Sequence, residues 1–127
     1  MDIPQSNYKV DYSNIVTLEC IVSGTPAATR VYWEFEKDGV TTEIDMSNSV
    51  KYTGSTVGTP SLTINNAVLE DEGVYKCFAI NIVGLGESNP TTLDVVGSKY
   101  SVIVINTRIA YDTSNNIILW TTNPLLT

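Results

Sequence analysis

Reactive side chains are few in this sequence. There are two cysteines, Cys20 and Cys77, and no histidine. Two thiols can be inert core residues, half of a metal site or the ends of a disulfide. Zinc would need further Cys or His ligands, which this chain lacks. A Ser or Cys nucleophile needs a neighbouring base, and no His is present. With fourteen acidic residues, chance carboxylate pairs are certain, so pairs alone do not indicate glycoside cleavage. No phosphate-cradling Gly-rich loop or EF-hand pattern is found. The run Glu70-Asp71-Glu72 could offer oxygen ligands to Ca²⁺, but it reads more simply as a solvated turn between strands. The expectation is no enzyme, no cofactor and no metal.

Charge narrows the partners. The formal net charge is −7, with only seven Lys and Arg. A nucleic-acid binder needs a basic face to displace phosphate counterions, so no nucleic-acid partner is expected. Attraction to anionic membrane surfaces is disfavoured in the same way. The longest strictly apolar runs, such as Val102-Ile103-Val104-Ile105, are far short of the roughly 20 residues a spanning helix needs, so no membrane insertion is expected. Met1-Asp2-Ile3-Pro4 does not look like a leader, and no Asn-x-Ser/Thr sequon occurs. If the parent protein is secreted or membrane-bound, this segment is expected to be a fragment or mature piece of it.

The elements that would position these residues are strands. Apolar residues make up 43% of 127, enough for one core. Short runs rich in Val, Ile, Thr and Tyr alternate with Gly, Pro, Ser and Asn clusters, an all-β texture. In residues 15–23, Val16, Leu18, Cys20 and Val22 share one face. In residues 30–36, Val31, Trp33 and Phe35 face one way and Arg30, Tyr32, Glu34 and Glu36 the other. Lys37-Asp38-Gly39 signals a turn, and residues 41–46 make a weaker strand. Leu62 and Ile64 point inward from residues 61–64. The strongest strand covers residues 73–81, with Tyr75, Cys77 and Ala79 on one face. Gly84-Leu85-Gly86 is read as a turn, before a last strand at 91–96 with Leu93 and Val95 inward. Both cysteines thus lie on inward faces of separate strands, 57 positions apart. A bridge would stabilise the fold by roughly 4 kcal/mol through chain entropy; two reduced core thiols are the alternative.

Cys20, Trp33, Leu62 and the run Asp71-x-Gly73-x-Tyr75-x-Cys77 together resemble the immunoglobulin superfamily, over roughly residues 4–97. Cys77-x-Ala79-x-Asn81-x-x-Gly84 resembles its intermediate set, common in adhesion and matrix proteins. The resemblance implies a two-sheet antiparallel Greek-key β-sandwich with a Cys20–Cys77 bridge and Trp33 packed against it. It implies that Tyr75 bonds a backbone group near residues 66–71, and that Asp71 pairs with a basic residue in the stretch ahead of the strand at 61–64. Lys51 is the only basic residue there. Gly73 fits a tight turn where a side chain would obstruct.

If Cys77 and Trp33 point inward, Tyr32, Glu34, Phe78 and Ile80 point outward, with Glu36 and Lys76 beside them. This is the candidate partner-binding face. The expected role is an extracellular or cell-surface recognition and adhesion module, within a larger or processed protein. Its partner would be a protein, with a second copy of the chain included, met through a sheet face or end loops. An intracellular spacer of a giant muscle-type protein and an innate immune recognition molecule are the alternatives. Residues 1–97 are assigned to the domain and 98–127 to a C-terminal extension. That extension holds three charged residues, Lys99, Arg108 and Asp112, with strand-like runs at 100–110 and 117–122 around a loop at 112–116. An added hairpin, a truncated next domain and a tail all fit it.

Overall fold

The computed structural model describes residues 1–97, 107–111 and 117–121. In chain order the strands are β1 (Asn7–Asp11), β2 (Val16–Leu18), β3 (Arg30–Lys37), β4 (Val40–Glu43), β5 (Tyr52–Gly54), β6 (Leu62–Ile64), β7 (Gly73–Ile80), β8 (Leu85–Glu87), β9 (Thr91–Val96), β10 (Thr107–Tyr111) and β11 (Ile117–Thr121). A single helical turn, Leu69–Asp71, precedes β7.

Within Met1–Gly97 the strands form two sheets. The larger runs β1-β9-β7-β3-β4, with β8 also on β7; the smaller runs β2-β6-β5. β1 lies parallel to β9, and the other pairs are antiparallel. The alternation of each strand builds the interior. From the larger sheet Val31, Trp33, Tyr75, Cys77, Leu93 and Val95 are buried; from the smaller, Val16, Leu18, Leu62 and Ile64. Trp33 lies directly opposite Cys77 in the β3–β7 ladder. Cys77 is bonded to Cys20, with Cα atoms 6.5 Å apart. Trp33 is fully buried, and its indole N–H donates to Pro60 O at 2.8 Å, which satisfies the one polar group that burial would strand. The all-β, disulfide-closed sandwich expected from the sequence is therefore present.

Several boundaries differ from the sequence reading. The ladder expected through residue 23 stops at Leu18, because the Cys20 N–H donates to the Ser61 hydroxyl and not to a strand neighbour; Ile21 instead bridges Asp2. β4 starts at Val40 and ends at Glu43, where the Asp45 carboxylate accepts from the Ser47 N–H and hydroxyl and begins a turn. The β3–β4 connection has Asp38 and Gly39 both at positive φ, the conformation a two-residue hairpin demands. Gly84-Leu85-Gly86 is not the turn: Asn81 to Gly84 turn the chain, and Leu85 and Gly86 enter β8. β1 and β5 have no counterpart in the sequence reading.

β10 and β11 pair antiparallel, from Thr107↔Thr121 to Tyr111↔Ile117. The expected strand start at residue 100 and the loop at 112–116 lie outside the described residues.

Candidate recognition face

The outer face of the larger sheet is set by register. β3 pairs with β7 so that Arg30 meets Ile80, Tyr32 meets Phe78, Glu34 meets Lys76 and Glu36 meets Val74. On one flank β4 places Glu43 opposite Glu34 and Thr41 opposite Glu36. On the other, β8 places Glu87 opposite Phe78 and Leu85 opposite Ile80. Neighbours along each row are close enough to interact.

At the centre the Tyr32 and Phe78 rings stack, 5.0 Å apart and 8° from parallel. The Arg30 guanidinium caps the stack 4.2 Å from the centre of the Tyr32 ring, where the ring's negative face attracts a cation. Arg30 also pairs with Glu43, and Lys76 with Glu87 at 3.7 Å. Burial and then the Glu34 carboxylate raise the Tyr32 phenol above its ordinary pKa, against the opposing pull of Arg30. Glu34, Glu36, Thr41, Val74, Lys76, Phe78 and Glu87 surround a shallow hollow of about 250 Å³.

The four residues expected on this face are brought together, with one correction. Tyr32, Glu34 and Ile80 are half-buried and reachable. Phe78 is on the face but only 6% exposed. Alternation gives its side of the sheet, but the stacked Tyr32 ring covers it, so it is a floor and not an exposed anchor. The sequence reading assigned no role to Arg30, although it lies two residues from Tyr32 on the same face. It passed over Glu43, inside its weaker strand at 41–46, and Glu87, whose strand it read as following a turn at 84–86.

The acidic run is accounted for by a structural corner. The Tyr75 hydroxyl donates to Asp71 O at 2.6 Å. One Asp71 carboxylate oxygen accepts from the Val68 N–H at 2.9 Å and from Lys51 Nζ at 2.6 Å. Lys51 also donates to Asn66 O at 3.0 Å. Glu72 accepts from the Val95 N–H at 2.9 Å. The carboxylates of Asp71 and Glu72 thus have internal partners, and among the described residues no group of three acidic or sulfur ligands converges on a metal position. Gly73 follows because a Cβ there would meet Phe35 Cε1 at 2.5 Å and Glu36 O at 2.6 Å. Burial first, then Asp71 and Tyr52, raise the Tyr75 pKa far above the phenol range, so its hydroxyl stays a donor.

Two facing sheets, a bridge between them, an indole opposite one sulfur and a tyrosine tying the corner before β7 define an immunoglobulin-type sandwich. The chain belongs to the immunoglobulin domain family, whose profile matches residues 1–81. Muscle M-line assembly protein unc-89 of Caenorhabditis elegans is 33% identical over 81 residues, which is 64% of this chain and 1% of that protein. Tyrosine-protein phosphatase Lar-like, also of Caenorhabditis elegans, is 31% identical over 96 residues, 75% of this chain and 4% of that one. Among solved structures, the N-terminal Ig1-2 module of Drosophila receptor protein tyrosine phosphatase DLAR aligns with a TM-score of 0.58 and 32% identity, over 73% of this chain and 44% of that module. What this chain resembles in the phosphatase structure is an immunoglobulin module. The chain spans a small fraction of these curated relatives, which include both a muscle M-line assembly protein and a Lar-like tyrosine-protein phosphatase.

Proposed function

We propose that residues 1–97 form a non-enzymatic recognition module of a cell-surface or matrix protein, binding a protein partner through the outer face of β4, β3, β7 and β8. Residues 98–127 are assigned to a separate C-terminal extension of the chain. The observation that carries this reading is the Arg30–Tyr32–Phe78 stack, ringed by Glu34, Glu43, Lys76 and Glu87. A flat aromatic centre with a polar rim is the anatomy of a protein interface. Arg and Tyr are also the residues in which binding energy concentrates. The stack is already ordered by its own contacts, so docking would freeze few rotamers. The bridge supports an oxidising compartment. A spacer role within a muscle-type protein is the second reading, favoured by the likeness to unc-89.

The test is retention of detergent-solubilised surface proteins on the immobilised chain. Variants Arg30→Glu and Glu34→Arg change the face, and Glu19→Arg changes an exposed position of the smaller sheet's side. Proteins held by the wild type and by Glu19→Arg, but held at least about tenfold less by the face variants, support the reading. Equal retention by all three variants, or none by the wild type, refutes it.

A further inference from the structure

One end of the sandwich differs from the rest of this acidic molecule. The loop after Val22 and the turn from Asn81 to Gly84 enclose a hollow of about 650 Å³. None of its lining side chains is charged; Val22, Pro26, Ala27, Ile80, Val83 and Leu85 give it its apolar walls. On its rim Val83, and next to it Ile82, stand 81% and 84% exposed. They do not swing freely. The Asn81 carboxamide oxygen accepts from the Val83 N–H at 2.8 Å and the Gly84 N–H at 3.0 Å, and its nitrogen donates to Pro26 O at 3.1 Å. The Asn81 N–H closes the turn on Gly84 O. One side chain thus fixes the turn and ties it to the opposite wall. Two large aliphatic groups are held in water by a polar scaffold.

We infer that this end is a self-association surface, with the Ile82–Val83 tip of one copy seated in the hollow of a second copy. Two features select this occupant. A knob beside a hollow on one surface is self-complementary under two-fold rotation: each tip fills the other copy's hollow. Charge selects it as well. Two copies at −7 repel wherever carboxylates face each other, and an end lined without charged side chains brings them together at least electrostatic cost. Order in the turn reduces the entropy lost on docking. This surface adjoins the Tyr32 face at Ile80 and Leu85, but its tip at Ile82 and its wall at Ala27 lie outside that face, so substitutions there test it on its own.

The experiment is sedimentation velocity on the full chain from micromolar to millimolar concentration. The wild type is expected to pass from monomer to dimer. Ile82→Asp and Ala27→Arg, at exposed positions on tip and wall, should each weaken association at least about tenfold, with unchanged urea midpoints. An equimolar mixture of these two variants should regain it, since the new carboxylate meets the new guanidinium on one side and the native contact remains on the other. Glu19→Arg should leave it unchanged. A wild type that stays monomeric throughout overturns the inference. So does association that survives both substitutions, which would place it on another surface, or a mixture that fails to recover.

Discussion

Replacing Tyr75 with Phe isolates the corner that locks the chain ahead of β7. The change removes one oxygen and keeps the ring, which is 1% exposed and packed 4.7 Å from Phe35. What is lost is the 2.6 Å bond to Asp71 O, buried at both ends. No other donor to that carbonyl is found among the described residues. A net hydrogen bond contributes about 1 kcal/mol, and a stranded buried carbonyl costs about 1–3 kcal/mol, so destabilisation should be about 2 kcal/mol. With a urea m-value of about 2 kcal/mol/M, the midpoint should fall by about 1 M. Tyr8→Phe is the control: the Tyr8 hydroxyl accepts from the Glu19 N–H at 3.1 Å at an exposed site, so its loss should shift the midpoint by less than about 0.3 M. Urea unfolding followed by circular dichroism measures both. If Tyr75→Phe moves the midpoint no more than Tyr8→Phe does, the corner is not the constraint described above.

Two further outcomes follow from the same interior. Replacing Cys20 and Cys77 with Ala together opens a loop whose ends are 57 positions apart, and should remove about 4 kcal/mol of stability on the chain-entropy model. A loss below about 1 kcal/mol in urea would show that the packed sheets hold the register unaided. Alkali should destabilise the protein through Tyr75 and Tyr52, whose phenols burial raises above the ordinary value. In the unfolded chain these groups ionise near pH 10, so above that pH the folded state holds more protons and stability falls as pH rises; below it the contribution is fully present. Melting temperatures between about pH 8 and 11 should therefore drop, and drop less steeply in Tyr75→Phe. Parallel curves for the two proteins would count against a buried, protonated Tyr75.

Much of the interior was legible because alternation is a local property. Val31 and Trp33, Tyr75 and Cys77, Leu62 and Ile64, and Leu93 and Val95 each show the period of two within their own strands, and all are buried. The edges were not legible. β1 buries only Val10, and its pairing partner lies more than eighty residues away, so neither pattern nor neighbour marks it. β5 is three residues ending in Gly54, and β8 is exposed throughout with Gly86 at its centre. Such strands exist because a neighbour offers an unpaired edge, which no local window contains. The burial of Phe78 was not legible for the same reason. The side on which Phe78 lies follows from Cys77, but its burial follows from Tyr32 on another strand, and that depends on register.

The same alternation separates what the fold requires from what recognition can vary. Cys77 and Phe78 are adjacent in the chain, yet one is bonded through the interior and the other is half of the outer stack. Residues 31, 33, 75 and 77 are confined by close packing, where an added or missing methylene is felt. Residues 30, 32, 34, 76 and 80 meet solvent to varying degrees, and substitutions there cost the sandwich far less. Substitutions at positions 32, 34 and 80 can therefore change the outer surface while 33 and 77 stay fixed. Phe78 is the exception, because it lies on the outer face yet is only 6% exposed. Its burial makes Phe78→Ala costly to stability, whereas Tyr32→Ala would uncover the Phe78 ring and alter the surface more than the core. A test of recognition should therefore substitute Arg30, Tyr32 and Glu34 and leave Phe78 in place.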